Sequence, residues 1–146
     1  MATCIPKDDE MKRRVTLHKK NRPSSWRTIE AGEDILKALK NIKSNFKVVI
    51  IDCLTLLVSG LLMQGLKEKK IKKKMEEITA FVSKALYVTI MVSNEVGSGV
   101  VPENKLAREF RDSAGAANQV IAKEADEAYF VVSGIPVKVK GENENG

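Results

Sequence analysis

The sequence predicts an α/β fold: a mostly parallel sheet covered by helices on both faces. Three observations predict it. Apolar, β-branched runs of strand length occur at residues 46–51 and 86–92. Long stretches with apolar residues at helical spacing separate them. Each run stops at polar residues, Asp52 after the first and Ser93-Asn94-Glu95 after the second. In an open α/β sheet, polar groups just past a strand's carboxyl end face the binding crevice. Strand–helix alternation of this kind gives a parallel sheet between helical layers.

In chain order, Asp8-Asp9-Glu10 reads as a helix start, because carboxylates there meet unpaired N–H groups and the positive end of the dipole. Met11, Val15 and His18 follow at helical spacing. Pro23 disfavours helix at Arg22, so this helix should stop by Asn21. Residues 24–26 read as a turn. A second helix is expected over 29–42, with Ile35, Leu36, Leu39 and Ile42 on one face. The run 46–51 suits a strand buried on both faces. Residues 54–66 form an apolar helix. The lysine run opens the next helix, which continues through Met75, Ile78 and Val82 to about Ala85. Residues 86–92 are the second strand. A helix is expected over 102–119, with Gly115 a candidate break; Ile121, Ala122 and Ala125 extend it or start another. Residues 128–132 form a third strand, Ser133-Gly134 turns the chain, and 135–140 form the last. Residues 141–146 are polar and Gly-rich, and a disordered tail is expected.

The totals exclude several classes. A chain of 146 residues is one domain, long enough for a real core. No run reaches the roughly 18 apolar residues of a membrane span. The start carries no signal-peptide pattern, since charged residues follow at once, which points to the cytoplasm. Cys4 and Cys53 are too few and too scattered for a disulfide framework or a zinc knuckle. The net charge of +6 is one local feature: residues 67–74 hold six Lys and one Glu. Without interleaved aromatics for base stacking, that run reads as a solvated helix face rather than a nucleic-acid surface. Arg108 and Asp112, at i and i+4, read as a surface ion pair.

Two residues could carry chemistry. Asp52 closes Lys47-Val48-Val49-Ile50-Ile51, four apolar residues and then an acid. That is the Walker B pattern, whose carboxylate holds Mg²⁺ on a nucleotide's phosphates; a strand-end Asp capping the helix at Leu54 is the alternative. His18 is the only histidine, and Arg13, Arg14, Lys19, Lys20 and Arg22 surround it in sequence. It reads either as a solvated helix histidine or as a neutral imidazole nucleophile beside a triphosphate that the cations attract. Within the 146 residues there is no Gly-x-x-x-x-Gly-Lys-[Ser/Thr] string and no Asn-Lys-x-Asp guanine motif.

The wording of the chain goes further than its grammar. Arg14-Val15, His18, Arg22-Pro23, Trp26, Thr28 and Glu30 are followed by Asp52-Cys53-Leu54-Thr55. Then come Asn94-Glu95-Val96-Gly97, Val101-Pro102-Glu103-Asn104, Phe110-Arg111-Asp112 and Asn118-Gln119, and Ser133-Gly134-Ile135-Pro136 closes the series. Together these resemble the bifunctional adenosylcobinamide kinase/adenosylcobinamide-phosphate guanylyltransferase family of cobalamin biosynthesis. The resemblance covers almost the whole chain. It implies a P-loop NTPase-like (RecA-like) nucleotide-binding domain over 1–140. The family's first strand, Gly-rich loop and helix are not matched, so the expectation is a domain missing that unit.

The resemblance also implies roles. His18 would attack GTP and hold GMP as a phosphoramidate, passing it to adenosylcobinamide phosphate. Lys19, Lys20, Asn21 and Arg22 would line the guanine nucleotide. Glu30 and Asp52 would be acidic nucleotide contacts, with Asp52 on Mg²⁺. Ala2, Thr3 and Cys4 would touch the nucleotide through short side chains and backbone. ATP and GTP would be the nucleotides, adenosylcobinamide and its phosphate the acceptors, and the assembly a homo-trimer. The alternative is a catalytically inactive remnant acting only as an oligomer or binding subunit, and a nucleic-acid-binding module is a third reading.

Overall fold

A computed structural model describes residues 1–6, 8–42 and 46–142. Helix α1 spans Asp9–Lys20. Its N-cap is Asp8, whose carboxylate accepts the Met11 N–H at 2.7 Å. Asp9 and Glu10 sit in its first turn, and His18, Lys19 and Lys20 in its last, so both ends match the dipole. None of its residues is buried. The helix is held locally by the cap and by Lys12–Asp9 (2.9 Å) and Arg14–Glu10 (2.6 Å) pairs.

The second helix is shorter than its apolar spacing suggested. Helix α2 covers Ile35–Lys40 only. Residues 29–31 are claimed by the sheet instead: Ala2 donates to the Ile29 carbonyl at 2.8 Å, and Ala31 donates back to Ala2 at 3.0 Å. Gly32 then turns the chain at φ +52°, where a Cβ would meet Ile5 Cδ1 at 2.8 Å. Pairing with a distant strand thus overrides a weak helical pattern. Gly32→Ala is expected to lower stability by about 1–2 kcal/mol in a denaturant titration, the usual cost of a left-handed residue with a side chain. An unchanged midpoint would show that this turn can relax.

Strand β1, Val48–Asp52, pairs in parallel with β2, Val88–Val92, setting Ile50 against Ile90 and Asp52 against Val92. On the other side of β1, Ala2 pairs with Asp52. The connection from β1 to β2 runs through α3, Leu54–Met63, and α4, Glu68–Val82. Helix α5, Lys105–Glu124, runs unbroken past Gly115. A Cβ at Gly115 would meet nothing within 4 Å, so that glycine neither breaks the helix nor admits a close neighbour.

The core joins Val49 and Ile51 to Ile35 and Leu39 of α2, Leu54, Leu57, Val58 and Leu61 of α3, Ile71, Met75 and Ile78 of α4, and Ala114 and Ala117 of α5. The lysines of α4 lie on its outer side: Ile71, Met75 and Ile78 recur at helical spacing and turn inward.

Two features depart from the expected sheet. Val48, Val88, Ile90 and Val92 are 40–62% exposed, so the helices cover one face rather than both. Strands β3, Ala128–Val132, and β4, Ile135–Lys140, form a separate antiparallel hairpin. Ser133 (φ 52°) and Gly134 (φ 80°) turn it. A two-residue turn with both residues at positive φ matches strand twist and favours antiparallel pairing. The architecture is therefore mixed α/β with a small parallel sheet. No helix among the described residues is long and apolar enough to cross a membrane. Of the expected tail, Glu142 is tied back by Lys138 Nζ, which donates to its carbonyl at 2.7 Å; residues 143–146 lie outside the described residues. Arg108 forms no i, i+4 pair with Asp112. Its guanidinium reaches back to the carbonyls of Pro102 (3.0 Å) and Glu103 (2.5 Å) in the loop that precedes α5, while Asp112 lies 3.9 Å from Arg111.

Candidate functional site

The carboxyl end of β1 and the last turn of α1 meet at a cavity of about 210 Å³. Asp52 ends β1, and its Oδ2 lies 3.0 Å from His18 Nε2. These residues are 34 positions apart in sequence. The Asp52 side chain does not cap α3, whose N-cap is Cys53 with no side-chain cap bond. The capping alternative therefore gives way to a carboxylate that faces an imidazole.

Ala2, Cys4, His18, Lys19, Arg22, Glu30 and Asp52, all singled out in the sequence, line this cavity. Lys19 Nζ is ion-paired with Glu30 Oε1. Arg22 Nη1 donates to Thr28 Oγ1 at 2.9 Å. Burial pushes the Cys4 thiol up from its ordinary value, and Cys53 adds to the shift. Cys4 is therefore a protonated wall residue, not a thiolate.

Thr3, Lys20 and Asn21 do not line the cavity. Thr3 is buried, and its hydroxyl donates to the Cys53 carbonyl (2.6 Å) and accepts the Cys53 N–H (2.9 Å). Asn21 is the C-cap of α1, and Lys20 is exposed on its last turn. Thr3→Val is expected to cost about 1–3 kcal/mol, because the buried Cys53 N–H loses its partner, while the Cys53 carbonyl keeps only the Leu57 N–H at 3.3 Å. Ligand affinity at the cavity per folded molecule should stay the same. A large affinity loss without a stability loss would place the Thr3 hydroxyl on the ligand instead.

Arg14, Val15 and Leu56 also line the cavity. Arg14 lies one helical turn before His18, so the periodicity of α1 would have put it on the His18 face. Leu56 had no sequence signal, since it belongs to a helix that reads as apolar throughout. The cavity wall thus carries three cationic side chains, Arg14, Lys19 and Arg22, around one imidazole and two carboxylates. Cations grouped in a concave site attract phosphate. An imidazole with one ring nitrogen held by a carboxylate has a fixed orientation and its other nitrogen free.

Among the described residues no group of three or more His, Cys, Asp or Glu could hold a metal ion. Mg²⁺ needs no such cage, because it commonly takes one or two carboxylates, waters and substrate phosphates. Asp52, a hard oxygen donor at the cavity wall and about one third exposed, fits that mode.

Comparison with known proteins gives a consistent result. Residues 1–139 match the family described as cobinamide kinase / cobinamide phosphate guanyltransferase. The bifunctional adenosylcobalamin biosynthesis protein CobU of Escherichia coli (strain K12) is 37% identical, over 96% of this chain and 84% of its own length. Its namesake in Salmonella typhimurium is 36% identical with the same coverage. The bifunctional adenosylcobalamin biosynthesis protein CobP of Pseudomonas aeruginosa is 34% identical, over 97% of this chain and 82% of its own length. The chain is a member of the cobinamide kinase / cobinamide phosphate guanyltransferase family.

Proposed function

We propose that this protein phosphorylates adenosylcobinamide with ATP or GTP, and guanylylates the product through His18, in cobalamin biosynthesis. The observation that carries the reading is the His18–Asp52 contact at a cavity walled by Arg14, Lys19 and Arg22. With the proton on Nε2 donated to Asp52, the Nδ1 lone pair is the free nucleophile. It attacks the α-phosphorus of GTP. An N–P bond forms, the α–β phosphoanhydride bond breaks, and pyrophosphate leaves. A phosphate oxygen of adenosylcobinamide phosphate then attacks the same phosphorus, the N–P bond breaks, and adenosylcobinamide-GDP is released. Arg14, Lys19 and Arg22 offset the charge of the phosphates during both steps.

Mg²⁺ at Asp52 would neutralise phosphate charge. Glu30 holds Lys19 in place through their ion pair. A P-loop NTPase-like core is part of this reading, supported by an acid at the carboxyl end of a parallel strand. Homo-oligomerisation is also part of it, supported by the half-exposed apolar side chains of β2 and of the β3–β4 hairpin.

The test is complementation. A bacterium lacking its own cobinamide kinase/guanylyltransferase, supplied with cobinamide, should regain cobalamin-dependent growth when it expresses this chain. Robust expression of folded protein without growth would reject the bifunctional reading.

A further inference from the structure

The polar segment after β2 is held from both sides. Parallel register sets Val92 opposite Asp52, so Ser93, Asn94 and Glu95 emerge at the edge of the sheet that bears the His18 cavity. There the Asn94 N–H donates to Thr55 Oγ1 at 2.9 Å. Asn118, in the second half of α5, accepts from Ser93 Oγ at 2.6 Å and donates to the Asn94 carbonyl at 3.3 Å. Both backbone groups of Asn94 are thus satisfied by side chains from two different helices. Those helices are themselves anchored, α3 by Leu54 and Leu57 and α5 by Ala114 and Ala117.

The clamp fixes backbone and leaves two side chains outward. Asn94 and Glu95 are exposed. Glu95 Oε1 accepts the Gly97 N–H at 2.6 Å, which sets the direction of the carboxylate. Neither residue lines the cavity that holds His18 and Asp52. The cations of that cavity, Arg14, Lys19 and Arg22, belong to its own wall, and among the described residues no cation pairs with Glu95, so the segment offers a phosphate no positive charge. A primary amide can donate and accept at once, and a carboxylate accepts strongly from a hydroxyl. That pair suits a ligand carrying amides and an alcohol.

We propose that Asn94 and Glu95 form the acceptor subsite, binding the amide-bearing corrinoid and its alcohol beside the nucleotide cavity, and that Asn118 is their positioning residue. The proposal rests on the cobinamide kinase reading above. Glu95 accepts the hydrogen bond of the acceptor hydroxyl, and Asn94 pairs with a peripheral amide. Asn118 touches neither group of the ligand. It holds the Asn94 carbonyl and the Ser93 hydroxyl so that both side chains leave the strand end in fixed directions.

Equilibrium dialysis with cobinamide, followed by its visible absorbance, tests this, with GTP dialysed in parallel and melting followed by circular dichroism. Asn94→Ala and Glu95→Ala are exposed changes and should fold. Each is expected to weaken cobinamide about tenfold or more, as the loss of one hydrogen bond to a charged or bidentate group does, and to leave GTP affinity within about twofold. Asn118→Ala should weaken cobinamide selectively, and Asn118→Asp less so, because it keeps the acceptor for Ser93 and loses only the donor to Asn94. Unchanged cobinamide affinity in both Asn94→Ala and Glu95→Ala would overturn the subsite. Equal loss of both ligands in Asn118→Ala would reduce that residue to a structural role. Cobinamide binding without GTP binding would sink the nucleotide reading and leave the subsite standing; GTP binding without cobinamide binding would do the reverse, and binding of neither would overturn both.

Discussion

His18→Ala is expected to abolish labelling of the protein by GTP carrying a labelled α-phosphate. Guanylyl transfer should fall by roughly a thousandfold or more, as it does when a sole nucleophile is removed. Phosphorylation of adenosylcobinamide should remain largely intact. The asymmetry follows from the chemistry. Kinase transfer passes a phosphoryl group directly to a hydroxyl, so it needs positioning and charge neutralisation rather than a protein nucleophile. Guanylyl transfer through an enzyme intermediate needs one, and His18 is the only imidazole in the chain. The adduct should be acid-labile and base-stable, as a phosphoramidate is. The chain contains no Gly-x-x-x-x-Gly-Lys-[Ser/Thr] string. A protein fused at its start to a strand–loop–helix carrying that string should label faster, because the loop's backbone N–H groups hold the triphosphate in line. Persistence of the adduct in His18→Ala would place the nucleophile elsewhere.

Asp52→Asn is expected to lower both nucleotide-dependent activities by about 10²–10³-fold and to blunt their response to Mg²⁺. A bound divalent ion supplies several kcal/mol of charge stabilisation to phosphate chemistry, which corresponds to that range. Stability should scarcely change. The His18 and Asp52 side chains are 58% and 34% exposed, and a contact so open to water contributes roughly 0–1 kcal/mol. Asparagine keeps the size and one acceptor oxygen, so the neighbouring strand register should survive. Measured together, the Mg²⁺ titration and the thermal midpoint separate a ligand from a prop. Full activity with ordinary Mg²⁺ dependence would remove Asp52 from the site. A lowered midpoint with normal turnover per folded molecule would make it structural.

The sequence by itself determined the elements that periodicity controls. The strand ending at Asp52, the strand ending at Val92, the hairpin at Ser133-Gly134 and the capped start of α1 at Asp8 all fall where apolar spacing and capping chemistry put them. The sequence also determined the family, whose match runs over residues 1–139, nearly the whole chain. Residues 29–31 were misread as helix because their partner, Ala2, is nearly thirty residues away, and local pattern carries no term for a distant strand. The same reason explains the hairpin that stands apart and the face of β2 left open: alternation says which side chains are apolar, not which layer arrives to cover them. Only the tertiary structure decided that Thr3 spends its hydroxyl on the Cys53 backbone while its neighbours Ala2 and Cys4 face the cavity. It alone brought the last turn of α1 to the end of β1, so that His18 meets Asp52. It also set Asn118 against Asn94, a contact between a helix and a strand end that spacing along one element cannot encode.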